Sequence, residues 1–349
     1  MSIIKQVRYF FTGVLLLGMI MESRAQDAAF SQYYASALYL NPALTGIQPY
    51  VSFSSNNRTQ WRSIVLPYVT NQISLIAPLY TKDVRRNHVG GIGFSFYNDR
   101  AGESNFKTNG FNVNAAYNLP LTASRTSFLT FGLQGGFIQK SIDFTNLQWG
   151  QQFNPYIGVQ AMNVPDQSNV KANKMYPDIS TGMMFNYNSS KDYSATGFSG
   201  YAGIAAYHIN RPNESLVKGL TSTLPVLYKA HLGFEVHAGK RINISPNALF
   251  IQQKNLQQIN GGLYLTYLFP NQTKVLAPNF VTFGSWYRLK DAFIFSTGFG
   301  NDHYTLGFSY DYNTSSLRFN TQGRGAYEIS LSIRRVKANT ASIFHTPRI

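Results

Sequence analysis

The sequence predicts an all-β fold, a transmembrane antiparallel β-barrel of about 14 strands with a short N-terminal segment before the first strand. Three observations carry that expectation. Aromatic residues make up 15% of the chain and charged residues only 13%, where a soluble domain averages roughly 25% charged. An export signal stands at the start. Runs of about ten residues then alternate in polarity along the remainder, closed by turn residues, and successive side chains on a strand point to opposite faces.

The N-terminal residues 1–25 read as a cleaved secretory signal. Lys5 and Arg8 supply the positive start, Val14 to Met21 the apolar stretch, and Ser23-Arg24-Ala25 the small residues of a cleavage site. The apolar run is too short to cross a hydrocarbon layer of roughly 30 Å as a helix. Removing Lys5, Arg8, Arg24 and Glu22 takes the formal charge from +15 to about +13. Its basic residues form no stripe, which argues against nucleic acid. Outer-membrane lipid or an acidic protein partner suits the charge better. There is no Cys, hence no disulfide framework and no thiolate site.

Residues 26–49 lack alternation and precede the first strand. They read as a periplasmic or plug-like segment that packs under or inside the barrel, or as a contact for periplasmic components, with Asn41-Pro42 as a turn. The barrel is placed at 50–337, followed by a tail at 338–349. Its strands are expected at 50–61, 68–77, 88–98, 106–119 and 126–143. A long polar segment, 144–176, comes next as a surface or binding loop. Further strands follow at 177–187 and 198–209, then a loop opened by Arg211-Pro212-Asn213-Glu214. The remaining strands are 225–238, 241–252, 257–268, 277–289, 291–299, 303–312 and 326–336.

The direction of burial follows from the alternation. In the 303–312 strand Tyr304, Leu306, Phe308, Tyr310 and Tyr312 share one parity, and Ser309 and Asp311 share the other. A soluble sandwich also alternates, but this many strands would make two sandwiches with a linker, and no linker is visible. A barrel turns the apolar parity to lipid and the polar parity to the lumen, and a sheet in lipid must close on itself.

Little here looks like catalytic chemistry. The six His residues form no HExxH or similar metal-binding pattern. His231 and His237 share parity with Lys229 and Glu235, which a polar lumen lining explains. Gly90-Gly91-Ile92-Gly93 is followed by no helix, so it permits curvature or close packing rather than phosphate binding. Asp311, Glu328 and His303 could in principle act at a barrel rim. Carboxylates facing a lumen more often pair with bases such as Arg288 or Arg334, so the chain reads as a non-enzyme without catalytic residues, metal or cofactor.

Several stretches resemble one family in particular. They are Phe30-Ser31-Gln32-Tyr33; Leu40-Asn41-Pro42-Ala43 with Gly46; and Arg58 with Gln60-Trp61. Farther on come Phe131-Gly132-Leu133-Gln134, Pro177-Asp178-Ile179-Ser180-Thr181-Gly182, Tyr201-Ala202-Gly203 through His208, Ser309-Tyr310-Asp311, and Tyr327-Glu328-Ile329-Ser330-Leu331. In this order they resemble the PorP/SprF family, type IX secretion system outer-membrane proteins of Bacteroidota. Gly323-Arg324-Gly325-Ala326 departs from the family's usual wording there. The resemblance implies an outer-membrane barrel working with other type IX components. It also implies that the barrel receives or anchors secreted substrates, such as large gliding adhesins, through their C-terminal domains. A porin-like channel for small solutes is the alternative.

Overall fold

The computed structural model describes residues 29–335, apart from 64–65, 83–87, 103, 124–125, 145–146, 148–151, 160–169, 189–197, 240, 271–276 and 317. The signal at 1–25 and the tail at 338–349 lie outside the described residues.

Ahead of the sheet, three short helical turns follow one another: Tyr33–Ser36, Ala37–Leu40 and Pro42–Gly46. The strands are β1 (Val51–Gln60), β2 (Tyr68–Tyr80), β3 (His88–Ala101), β4 (Phe106–Pro120), β5 (Ser127–Ser141), β6 (Phe153–Asn154), β7 (Gly158–Val159), β8 (Asn173–Asn188), β9 (Phe198–Tyr207), β10 (Leu227–Ala238), β11 (Ile242–Gln253), β12 (Leu256–Leu268), β13 (Phe280–Arg288), β14 (Ala292–Gly300), β15 (Tyr304–Asn313) and β16 (Arg324–Arg335). All but β6 and β7 form one closed barrel in which each strand pairs with its neighbours in sequence and β1 pairs with β16. The seam is a full antiparallel ladder from Val51↔Arg335 to Gln60↔Ala326.

The burial pattern is the inverse of a soluble protein's. Large apolar side chains such as Leu133, Val113 and Phe283 are 64%, 63% and 59% exposed, while Glu328, Gln72, Asn114 and Ser309 are buried. An exterior of this kind is stable only against lipid, and the polar parity lines the lumen. Phe308, Tyr310 and Tyr312 point outward, whereas Ser309 and Asp311 point in.

Several strands run beyond their expected ends. β2 reaches Tyr80, β3 reaches Ala101 and β8 begins at Asn173, while β13 begins only at Phe280. The two longest connections, 142–172 and 208–226, lie at the end of the barrel opposite Val51 and Arg335. Long loops mark the extracellular end of such barrels. They pack together there: Lys171 N donates to Leu216 O at 2.7 Å, Lys140 pairs with Glu214, and Ile138, Tyr176 and Leu224 form a small buried cluster. Within the longer connection β6 and β7 form a short hairpin.

Candidate functional site

The described chain from Ala29 to Pro49 occupies the lumen. It starts near the extracellular ends of β1, β13, β15 and β16 and descends past β8 to β10 toward β3, β4 and β5. It then turns into β1 at the opposite end. A segment inside a barrel has unpaired backbone groups that the wall or the segment itself must satisfy. Two sets of contacts do this, one at each end of the segment.

The upper set is made of charges. Glu328 accepts hydrogen bonds from the backbone N–H of Ser31 and, at 2.8 Å, from that of Gln32. Ser31 Oγ lies 2.8 Å from both oxygens of Asp311. Arg58 binds Asp311 at 2.9 Å and also pairs with Glu328, while Arg288 reaches Asp311 at 3.2 Å and Ser31 Oγ at 2.9 Å. The Gln32 carboxamide accepts from Ser330 Oγ at 2.7 Å and donates to Ser309 Oγ at 3.3 Å and to Glu328 O at 3.2 Å. Two guanidinium groups and two carboxylates thus neutralise one another and share the strand-borne contacts to Ser31 and Gln32. Asp291 adds a further carboxylate to Arg288 at 3.1 Å, and buried charges of this kind are tolerated only when paired.

The lower set depends on shape. Asn41 Oδ1 caps the Pro42–Gly46 turn by accepting from Ala43 N at 2.9 Å, with Pro42 in the first turn. Its Nδ2 lies within reach of Met183 O (3.2 Å), Ile204 O (3.1 Å) and His231 Nε2 (3.1 Å). Wall glycines make room for it. A Cβ on Gly182 would lie 1.9 Å from Asn41 Oδ1, one on Gly132 2.3 Å from Ala43 N, and one on Gly91 2.0 Å from Thr45 O. Asn118 Nδ2 closes the path by donating to Gly46 O at 2.6 Å.

Aromatic contacts join the two sets. Tyr33 packs edge-on against Trp286, their ring centroids 5.3 Å apart. Lys229 donates to Tyr39 O at 2.5 Å and sits over the Tyr39 and Tyr207 rings, 4.0 and 4.5 Å from their centroids. Two small pockets flank this point, one against Phe30, Leu249 and Ile251 and one against Gln72, Asn112 and Gln134.

Of the residues singled out in the sequence, Ser31, Gln32, Arg58, Ser309, Asp311 and Glu328 meet in one cluster. Phe30 stacks edge-on with Tyr39, and Tyr33, Asn41, Pro42, Ala43 and Gly46 line the rest of the path. Gln60 and Trp61 lie apart, at the extracellular end of β1, where Trp61 has a left-handed backbone (φ 52°) and packs its ring on Tyr68. Tyr310 is outside, facing away from the lumen. Arg288 joins the charged cluster, whereas Arg334 instead bonds Asn301 O and Thr305 Oγ1. His231 binds Asn41, and Glu235 accepts from Asn243. No group of three or more metal-ligating side chains comes together among the described residues. Ser330, Gly132 and Gly182 stood in the sequence only as motif residues without a role there, while the close packing expected at Gly90–Gly93 is met at Gly91 by the Thr45 carbonyl; inward parity of a glycine within an otherwise regular strand was the available signal for the rest.

A family model described as "Type IX secretion system membrane protein PorP/SprF" matches residues 22–333. No curated protein matches the chain. Similar solved structures include the toluene transporter TbuX of Ralstonia pickettii, at 10% identity and TM-score 0.47, covering 89% of this chain and 94% of that one. The CymD monoaromatic hydrocarbon channel matches at 13% identity and TM-score 0.44, covering 89% and 95%. BamA of Haemophilus ducreyi lacking POTRA domains 1–3 matches at 10% identity and TM-score 0.38, covering 89% and 80%.

Proposed function

Because this chain belongs to the PorP/SprF family of type IX secretion system membrane proteins, we propose that it is a non-conducting, non-enzymatic outer-membrane barrel that receives or anchors secreted substrates through their C-terminal domains. The observation that carries the reading is the filled lumen. Residues 29–47 are held by a neutralised charge cluster above and by a glycine-lined seat below, so the segment acts as a resident plug and the barrel as a closed anchor.

Substrates of the secretion system, large gliding adhesins among them, then dock outside the lumen. The described parts of the 142–172 and 208–226 connections are the surface of choice, and a net positive barrel draws an acidic C-terminal domain toward them. Other type IX components supply translocation. Two experiments test this. In planar bilayers the purified protein gives little or no single-channel conductance; a large ohmic conductance independent of any partner overturns the plug. Crosslinked pull-down from the native outer membrane recovers an exported protein through its C-terminal domain, and recovery of none counts against the anchor.

A porin-like channel for small solutes is the second reading. Conductance that rises on removal of residues 26–49, with full-length protein already conducting small solutes, would support it.

A further inference from the structure

The outward face of β1 to β5 breaks the pattern of the rest of the barrel. Near their extracellular ends, Asn57, Asn71, Asn98, Asn109 and Gln139 stand directly opposite one another in consecutive registers. All five share parity with lipid-facing apolar residues, while their sequence neighbours Arg58, Gln72 and Tyr97 face inward. Asn57 donates to Asn71 at 2.6 Å, Asn98 to Asn109 at 2.6 Å, and Asn109 to Gln139 at 3.5 Å. Each of these bonds uses only part of a carboxamide's capacity, so donors and acceptors remain open along the row.

The rows above and below differ in kind. Two residues farther out, about 7 Å along the strands, Arg100 and Lys107 are direct cross-strand partners on the same outer face. Like charges so placed repel, and neither has a carboxylate partner among the described residues; the adjacent Asp99 turns inward to Thr70, whose hydroxyl donates to it at 2.6 Å. Two residues farther in, Ile73, Phe96, Phe111 and Phe137 form an apolar row in the same registers, with the Phe96 and Phe111 rings 4.7 Å apart. Across the barrel, the corresponding outermost positions are Tyr287, Phe293 and Tyr312, aligned in register, the aromatic belt usual at an interface.

We infer that this arc binds the headgroup of an outer-leaflet phosphorylated glycolipid. The charge complementarity assigns the occupant: an anion between Arg100 and Lys107 relieves their repulsion, and a guanidinium suits phosphate oxygens. The open carboxamides match sugar hydroxyls, which both donate and accept. The aromatic row beneath meets the acyl chains. Phosphate, sugar and acyl chain thus fall in the order of the three rows, which a protein partner's surface has no reason to follow. The inference rests on the outward face being lipid-facing and does not depend on the plug or the cargo.

The test compares the full-length protein purified in mild detergent with Arg100→Gln/Lys107→Gln and with Asn98→Val/Asn109→Val. Heat-modifiable migration in gels confirms that each has folded. Native mass spectrometry with added lipid A is expected to show retention by the natural protein and several-fold less by either double variant. Lipid A stripped of its phosphates is retained less by the natural protein and equally by the Arg100/Lys107 variant. Equal retention of both lipids by all proteins overturns the proposal. So does displacement of lipid A by millimolar inorganic phosphate alone, which marks a free-anion site. A photocrosslinker at position 109 that captures a protein in place of lipid in native membranes overturns it as well.

Discussion

The two ends of the luminal segment are held by different physics. At Ser31 and Gln32 the contacts are charges and charge-assisted hydrogen bonds, supplied by side chains from β1, β13, β15 and β16. At Asn41 to Gly46 the contacts are close backbone approaches made possible by missing side chains. A charged attachment fails as a unit, since removing one partner strands the others in a dry site. A fitted attachment fails locally, in proportion to the atoms added.

Variants that separate the two attachments can break or sharpen this contrast. The largest effect is expected from Arg58→Met, which leaves Glu328 and much of the Asp311 charge uncompensated. A loss of about 3–5 kcal/mol should appear in denaturant unfolding of protein folded into vesicles, and a loss under about 1 kcal/mol would show that the charges are not coupled as described. Gly182→Ala comes next. Its Cβ would overlap Asn41 Oδ1, costing about 1–3 kcal/mol. Hydrogen exchange distinguishes the pair: the Arg58 variant speeds exchange at Ser31 to Ser36, and the Gly182 variant speeds it at Ala43 to Ile47. The same profile from both would dissolve the distinction.

Asn41→Ala should cost about 1–2 kcal/mol, because the turn loses its cap and the wall acceptors around Nδ2 lose its two N–H donors. Being remote from Arg58 it should add to that variant's loss within about 0.5 kcal/mol, and a larger coupling would mean the segment moves as one body. The smallest effect belongs to Tyr310→Leu. That side chain faces outward, and a change within about 0.5 kcal/mol is expected although its neighbours Ser309 and Asp311 take part in the charged cluster.

Much of the barrel was legible in the sequence because lipid enforces alternation wherever a strand crosses it. Tyr304 to Tyr312 shows the rule plainly. The strand ends were less legible. β3 continues through Asn98, Asp99 and Arg100, where both faces are polar and alternation disappears, yet the ladder with β4 persists to Ala101. Individual members of the luminal cluster were legible as motif words, but their meeting was not. Ser31 and Glu328 are separated by 297 positions, and only closure of the sheet in one register brings them together. The glycine seat was legible only as room for close packing at Gly90–Gly93, for a related reason: an inward glycine looks the same in sequence whether it faces water or a backbone.

The seam between β1 and β16 has a consequence for the order of assembly. The start of the luminal segment, Ser31 and Gln32, rests on side chains carried by β15 and β16, the last strands synthesised. Once the seam is zipped, a stretch bearing Tyr33, Leu38 and Tyr39 cannot enter sideways between β1 and β16. A segment laid against the sheet before the seam closes would gain its β15 and β16 contacts only when the last strands arrive. Glu328, its carboxylate between the Ser31 and Gln32 amides and the Arg58 guanidinium, then couples acceptance of the N-terminal segment to the final meeting of first and last strands. Completion of the wall and completion of the segment's charged attachment thereby share one set of side chains.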